Sequence, residues 1–159
     1  DELTGLLNWR GLHQVGQQQV NHARQHNLPL SAILLDIDHF KSINDTYDHD
    51  LGDQVLQVLA ERLRQNTRPT DILGRRGGDE FVILLVNTSL EEACQVAEQL
   101  RIAVVNIPFL VDAGLIVDAT ISLGVSTLTS SIQDIQTLMK LADHAMYAAK
   151  QAGRNQVAT

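Results

Sequence analysis

With 159 residues, 44% of them hydrophobic, the chain can bury a sizeable core as one soluble domain without disulfides or metals as staples. A net charge of −7 argues against broad nucleic-acid binding, which needs a basic face, and the single Cys94 suits a reducing cytosol and a packing role. No apolar run approaches about 18 residues and no export signal is visible, so a cytoplasmic domain without membrane contact of its own is expected, whatever a longer parent protein does.

Residues 1–8 read as a connector, and Asn8 can cap a helix running to about Asn27, where Pro29 ends it. Residues 30–38 follow as a mostly apolar strand whose acids, Asp36 and Asp38, come only at its exit, as in a buried central strand. Residues 40–47 predict a short helical turn and 48–53 a polar loop. Asp53 is then the expected cap of a helix from Gln54 to about Asn66, with Val55, Leu56, Val58, Leu59 and Leu63 on one face. Ile72-Leu73 and residues 81–86 read as two strands joined across Gly77-Gly78, because glycine takes the positive φ of a tight turn. Ser89 can cap a helix from Leu90 to about Val105. A small hairpin is expected about Asp112-Ala113-Gly114, then a strand over 120–126 and a last helix from about Ile132 to Gln151, ending at Gly153. Helices separated by strands around a central antiparallel hairpin predict an α+β sheet of about five strands covered by helices.

Several groups of residues could carry chemistry. Asp36 and Asp79 approach each other if their strands are neighbours, and two hard carboxylates suit Mg²⁺ and a phosphorylated substrate; the competing reading has Asp36 and Asp38 capping and solvating the strand end. Asp79 and Glu80 are adjacent, so in an extended strand they point to opposite faces. Lys150 and Arg154 lie four apart at the end of the last helix, a like-charge pair that an anion would reward and that the helix dipole partly explains. Asn44 and Asp53 can read a guanine edge, or each can be a cap. Arg68 and Asp71 are three apart before the hairpin strand, a spacing equally compatible with a surface ion pair. The six histidines show no ligand spacing and are expected at the surface or in packing roles.

Taken together, these residues resemble the GGDEF domain, the diguanylate cyclase family. The signature stands at Gly77-Gly78-Asp79-Glu80-Phe81. The likeness extends over Leu3-Thr4-Gly5-Leu6 with Asn8, Asp36-Ile37-Asp38-His39-Phe40-Lys41, Ile43-Asn44-Asp45, His49 with Gly52-Asp53, Ala142-Asp143, Tyr147, Ala149-Lys150 and Gly153-Arg154-Asn155. The resemblance implies a palm-like, mainly antiparallel fold with a ferredoxin-like core. It further implies that residues 1–159 are a single catalytic domain excised from a longer signalling protein with sensory or output domains. Each domain would bind one GTP, and a facing homodimer would join two GTP into cyclic di-GMP with release of pyrophosphate. Asp36 and Asp79, with the Ile37 carbonyl, would hold Mg²⁺, or Mn²⁺ in its place. Gly77 and Gly78 would let the backbone meet the nucleotide, Asn44 and Asp53 would read guanine, and Lys41, Lys150 and Arg154 would hold phosphates. Glu80 would either deprotonate the 3′-hydroxyl or act electrostatically, and Arg68 with Asp71 would form an inhibitory product site.

The alternatives are an inactive module that binds GTP or cyclic di-GMP as a receptor, and an interaction domain without nucleotide. Three positions depart from the family's habit. Asp48 stands where glycine is usual and predicts a left-handed residue with about 1 kcal/mol of strain. Arg76 replaces the usual tyrosine or apolar residue, and Trp9 a common arginine.

Overall fold

A computed structural model describes residues 1–111 and 114–159. The elements are β1 (Leu7–Asn8), α1 (Trp9–His26), β2 (Leu30–Ile37), α2 (Phe40–Thr46), α3 (His49–Gln65), β3 (Ile72–Gly77), β4 (Glu80–Val86), α4 (Leu90–Asn106), β5 (Phe109–Leu110), β6 (Ile116–Val117), β7 (Ile121–Thr127), α5 (Ile135–Gln151) and β8 (Val157–Ala158). The fold is α+β and palm-like. Its main sheet has six strands in the order β1-β3-β4-β2-β7-β8, with β5 and β6 forming a separate ribbon. The four inner strands pair antiparallel, and the two-residue strands at the edges pair parallel. The sequence reading expects about five strands and anticipates neither of the two-residue edge strands.

All eight residues of β2 are buried, because both faces of the central strand are covered. On one face Ile33, Leu35, Phe81, Ile83 and Val125 pack with Val55, Leu59, Ala97 and Leu100 of α3 and α4. On the other, Leu34, Val82 and Leu84 pack with Leu12, Val20, Leu138 and Met146 of α1 and α5. Period-2 alternation along each strand therefore serves two cores. The backbone of α5 comes so close to β7 that a Cβ at Gly124 would collide with the Ala142 carbonyl oxygen and the Met146 nitrogen. That approach fixes the level at which the far end of α5 meets the strand ends.

The expected caps at Asn8 and Ser89 are present: Asn8 Oδ1 accepts from Gly11 N at 2.9 Å, and Ser89 and Glu92 form a reciprocal capping box. Two helix starts differ from the sequence reading. The segment read as a polar loop is the first turn of α3, and its cap is Asp48, whose Oδ1 accepts from Leu51 N at 2.8 Å, rather than Asp53. Leu51 and Gly52 turn inward and make this polar stretch worth folding as helix. The Asp48 backbone, with φ 167° and ψ 179°, is extended, so the anticipated left-handed strain does not arise. Likewise α5 starts at Ile135, capped by Asp134 on Thr137 N at 2.7 Å, and Ile132 is a buried loop residue before it. The small hairpin forms with Phe109 opposite Val117. Its expected turn residues Asp112 and Ala113 lie outside the described residues. Cys94 packs half-buried at the edge of the α3/α4 core, and burial pushes its thiol pKa up.

Candidate active site

The β2–β4 pairing brings the acids together. In that register Asp36 lies opposite Glu80, so the two side chains share the α1/α5 face of the sheet. Because β4 begins at Glu80, Asp79 belongs to the turn, and the expected opposition of an extended Asp79-Glu80 pair does not apply. Asp79 is close enough to Asp36 for its charge to disfavour ionisation of the Asp36 carboxyl. Burial pushes the Asp36 carboxyl up, opposed by the Lys150 hydrogen bond and reinforced by the Asp79 and Asp38 charges. Asp79 is likewise raised by burial and by Glu80, against its own backbone hydrogen bond, Lys150 and Arg75. Lys150 in the last turn of α5 places Nζ 2.8 Å from Asp36 Oδ2.

Gly77 and Gly78 have φ values of 150° and 54°, and no atom lies within 4 Å of where a Cβ would sit on either. The hairpin tip is therefore open to backbone approach. Arg75 steadies it by donating from Nε to the Gly78 carbonyl at 2.9 Å while its other end pairs with Asp1 at 3.1 Å. The connector before β1 is thus an ordered strut, a role the sequence reading missed.

Asp38 does not solvate the strand end. It is buried and accepts from Thr120 Oγ1 and Ser122 Oγ, each at 2.6 Å, and from the Asn155 backbone N–H at 3.0 Å. The one sequence signal was the alternation Thr120-x-Ser122, which puts two hydroxyls on one side of the neighbouring strand. Arg154, at φ 64°, sits in the turn that Asp38 holds.

Lys41 projects from the exposed side of α2. Asn44, also on α2, has a buried Oδ1 without a hydrogen-bond partner, pressed against Gly52 of α3, and Asp53 is the exposed residue next along that helix. A buried amide oxygen lacking a donor is a cost of about 1–3 kcal/mol that a bound donor removes. Arg68 and Asp71 stand at the other end of β3, about 20 Å from the hairpin tip at roughly 3.3 Å per residue. Among the described residues they form no ion pair. Asp71 Oδ2 instead accepts from the Arg68 backbone N–H at 2.9 Å, and Asp71 Oδ1 is buried without a partner.

Arg76 joins the two remaining departures. Its guanidinium lies 5.3 Å from the Trp9 ring centre, 3.5 Å from Glu80 Oε2 and 3.6 Å from Asp143 Oδ1.

The residues fit a hard divalent cation. Two mutually repelling carboxylates with raised pKa values are offset by one ammonium, and a divalent ion supplies the missing positive charge. Two carboxylates suit an ion that takes a few protein oxygens and completes its shell with water and phosphate.

Fold and site define a palm-like α+β domain with a carboxylate cluster at the exit of its central strands. The model of the family described as "Diguanylate cyclase, GGDEF domain" matches residues 1–156, and the chain belongs to that family. It is 43% identical over 158 residues to the response regulator PleD of Caulobacter vibrioides, a match covering 99% of this chain and 35% of PleD. Among solved structures it is similar to the active GGEEF domain of a diguanylate cyclase from Vibrio cholerae, with TM-score 0.89, 37% identity and 96% of each chain covered. It is also similar to the GGDEF domain of DgcB from Caulobacter crescentus in complex with c-di-GMP, with TM-score 0.94, 28% identity, and 99% of this chain and 90% of that one covered. The chain spans 34% to 44% of the length of the curated relatives it matches.

Proposed function

We propose that this chain is the catalytic domain of a longer cytoplasmic signalling protein and condenses two GTP into cyclic di-GMP. The observation that carries the proposal is the convergence of Asp36, Asp79, Glu80 and Lys150 at one strand end beside an open Gly-Gly tip. Asp36, Asp79 and the Ile37 carbonyl are the groups to hold Mg²⁺ or Mn²⁺, which when bound neutralises charge on the reacting phosphates.

The remaining roles fall to the chain's own residues. Asn44 and Asp53 orient guanine, since the orphaned Asn44 oxygen accepts from the base and the Asp53 carboxylate takes the donors that adenine lacks. Lys41, Lys150 and Arg154 hold the triphosphate, with the backbone of Gly77 and Gly78 alongside. Glu80 is the carboxylate to accept the proton of an incoming 3′-hydroxyl. That oxygen bonds to the α-phosphorus of the second GTP, the bond to the pyrophosphate breaks, and the same exchange in the opposite sense closes the ring. With one GTP per domain, both steps require two domains facing each other. Product binding at Arg68 and the unpartnered Asp71 Oδ1 provides inhibition away from the reacting atoms.

Incubation with GTP and Mg²⁺, followed by chromatography for cyclic di-GMP, tests the proposal. A folded chain that binds GTP yet yields no product as a dimer would reduce it to the receptor alternative.

A further inference from the structure

We infer that Asp38 is a positioning residue that sets the phosphate-binding turn, acting on the nucleotide through Arg154; this rests on the nucleotide reading above. The exit of β2 carries two acids that serve two cations of the last helix and its following turn. Asp36 meets Lys150 directly. Asp38 reaches the turn through its backbone, because its Oδ2 accepts from Asn155 N–H, one residue beyond Arg154.

The geometry is that of a clamp. Asp38 is 5% exposed, and its two oxygens accept three hydrogen bonds, from Thr120, Ser122 and Asn155. Its own N–H donates to the Thr120 carbonyl at 2.8 Å, which ties the β2 exit to the start of β7. The turn it holds is an unfavourable one, since Arg154 and Asn155 have φ values of 64° and 45° without being glycine. Two further contacts hold the same turn: Arg154 N–H donates to the Ala149 carbonyl at 3.0 Å, and Arg101 of α4 donates to Asn155 Oδ1 at 2.9 Å. Without the Asp38 acceptor, the half-buried Asn155 N–H loses its partner in this conformation, and the left-handed pair relaxes. The Arg154 backbone then loses the place from which, on the nucleotide reading, its side chain serves the phosphates.

Calorimetric titration of the chain with GTP and with guanosine separates this role from simple support of the fold. Asp38→Ala is expected to weaken GTP binding by about tenfold or more, the worth of hydrogen bonds to a charged group, while guanosine affinity stays that of the wild type. Arg154→Ala should give a similar loss, and adding Asp38→Ala to it should cost nothing further, because the acid acts through that arginine. Asp38→Asn, which keeps the shape and one oxygen for Asn155, should fall between wild type and alanine and serves if alanine unfolds the chain. Additive losses in the double variant, a parallel fall in guanosine affinity, or unchanged GTP affinity in both acid variants would overturn the inference. Failure of the wild type to bind GTP more tightly than guanosine would instead overturn the nucleotide reading itself.

Discussion

Replacing Gly52 with alanine tests the guanine site at a position that touches no substrate in the proposal. A Cβ on Gly52 would overlap Asn44 Oδ1 and approach Phe40 Cζ to 3.3 Å, so the amide must leave its present place. Two opposing effects decide the outcome for stability. Glycine in a helix interior is worth about 1 kcal/mol less than alanine, whereas forcing an extra methyl group into a packed contact costs typically about 1–3 kcal/mol. The amide lies at the far end of a side chain on α2 and can swing aside, so the overpacking cost should be at the low end and the melting temperature should change little. Binding has no such compensation. An acceptor displaced from guanine loses a hydrogen bond and leaves a donor unpaired, about 1–3 kcal/mol, which is roughly five- to 150-fold in affinity. Calorimetry with GTP alongside thermal melting reads both quantities. Wild-type GTP affinity in a folded Gly52→Ala chain would remove Asn44 from the base site.

Other expectations follow from the same geometry. Asp36→Asn should abolish formation of cyclic di-GMP at saturating Mg²⁺ while the fold persists, and wild-type turnover in that variant would take Asp36 out of the metal site. The same substitution should stabilise the unliganded chain near neutral pH. A carboxyl whose folded pKa is raised binds its proton more tightly when folded, so its favourable contribution is present at low pH and is lost as pH rises through the raised value. The stability difference between Asp36→Asn and wild type should therefore grow from pH 4 towards neutrality, about 3.9 being the ordinary aspartate value, and a flat difference in denaturant unfolding would contradict the burial argument. GTP should bind far more tightly than ATP, because adenine lacks the N1–H and 2-amino donors that Asp53 accepts from guanine, and equal affinities would remove the guanine assignment. Arg68→Ala should keep the initial rate but lose inhibition by added cyclic di-GMP, and undiminished inhibition would reduce the pair to a structural turn.

What the sequence made legible was whatever a segment settles within itself. The Asn8 and Ser89 caps, the buried run of β2 and the apolar stripe of α3 depend on local periodicity and side-chain reach, and the structure has them where the pattern puts them. Features decided by a partner were not legible. β1 and β8 are two residues long and exist because β3 and β7 offer edges to pair with. The earlier start of α3, capped by Asp48 rather than the expected Asp53, goes with Gly52 packing against Asn44 and Phe40 of α2. At the site, spacing suggested Asp36 with Asp79, but the position of Glu80 beside Asp36 came from sheet register. The role of Asp38 was not legible, because an acid at a strand exit can equally be solvated until the hydroxyls of the next strand and the turn after α5 are in place.

Trp9 and Arg76 show how two departures can be intelligible only as one. Arg76 alone adds a cation to a hairpin that carries Asp79 and Glu80; Trp9 alone puts a large ring at the start of α1. In the fold the guanidinium lies over the ring while its N–H groups face Glu80 and Asp143, so one side chain joins α1, the hairpin and α5. An exposed cation–π contact contributes about 0.5–1 kcal/mol, and half-exposed ion pairs at these distances about 0–1 kcal/mol each, so the arrangement is worth little as a support for the fold. Its consequence is local: it fixes where the Glu80 carboxylate stands relative to Asp36 across the β2–β4 pair. Arg76→Ala should therefore leave the melting temperature almost unchanged while lowering the rate of cyclic di-GMP formation more than GTP affinity. A loss of GTP affinity as large as the loss of rate would show that Arg76 acts on the bound nucleotide rather than on Glu80.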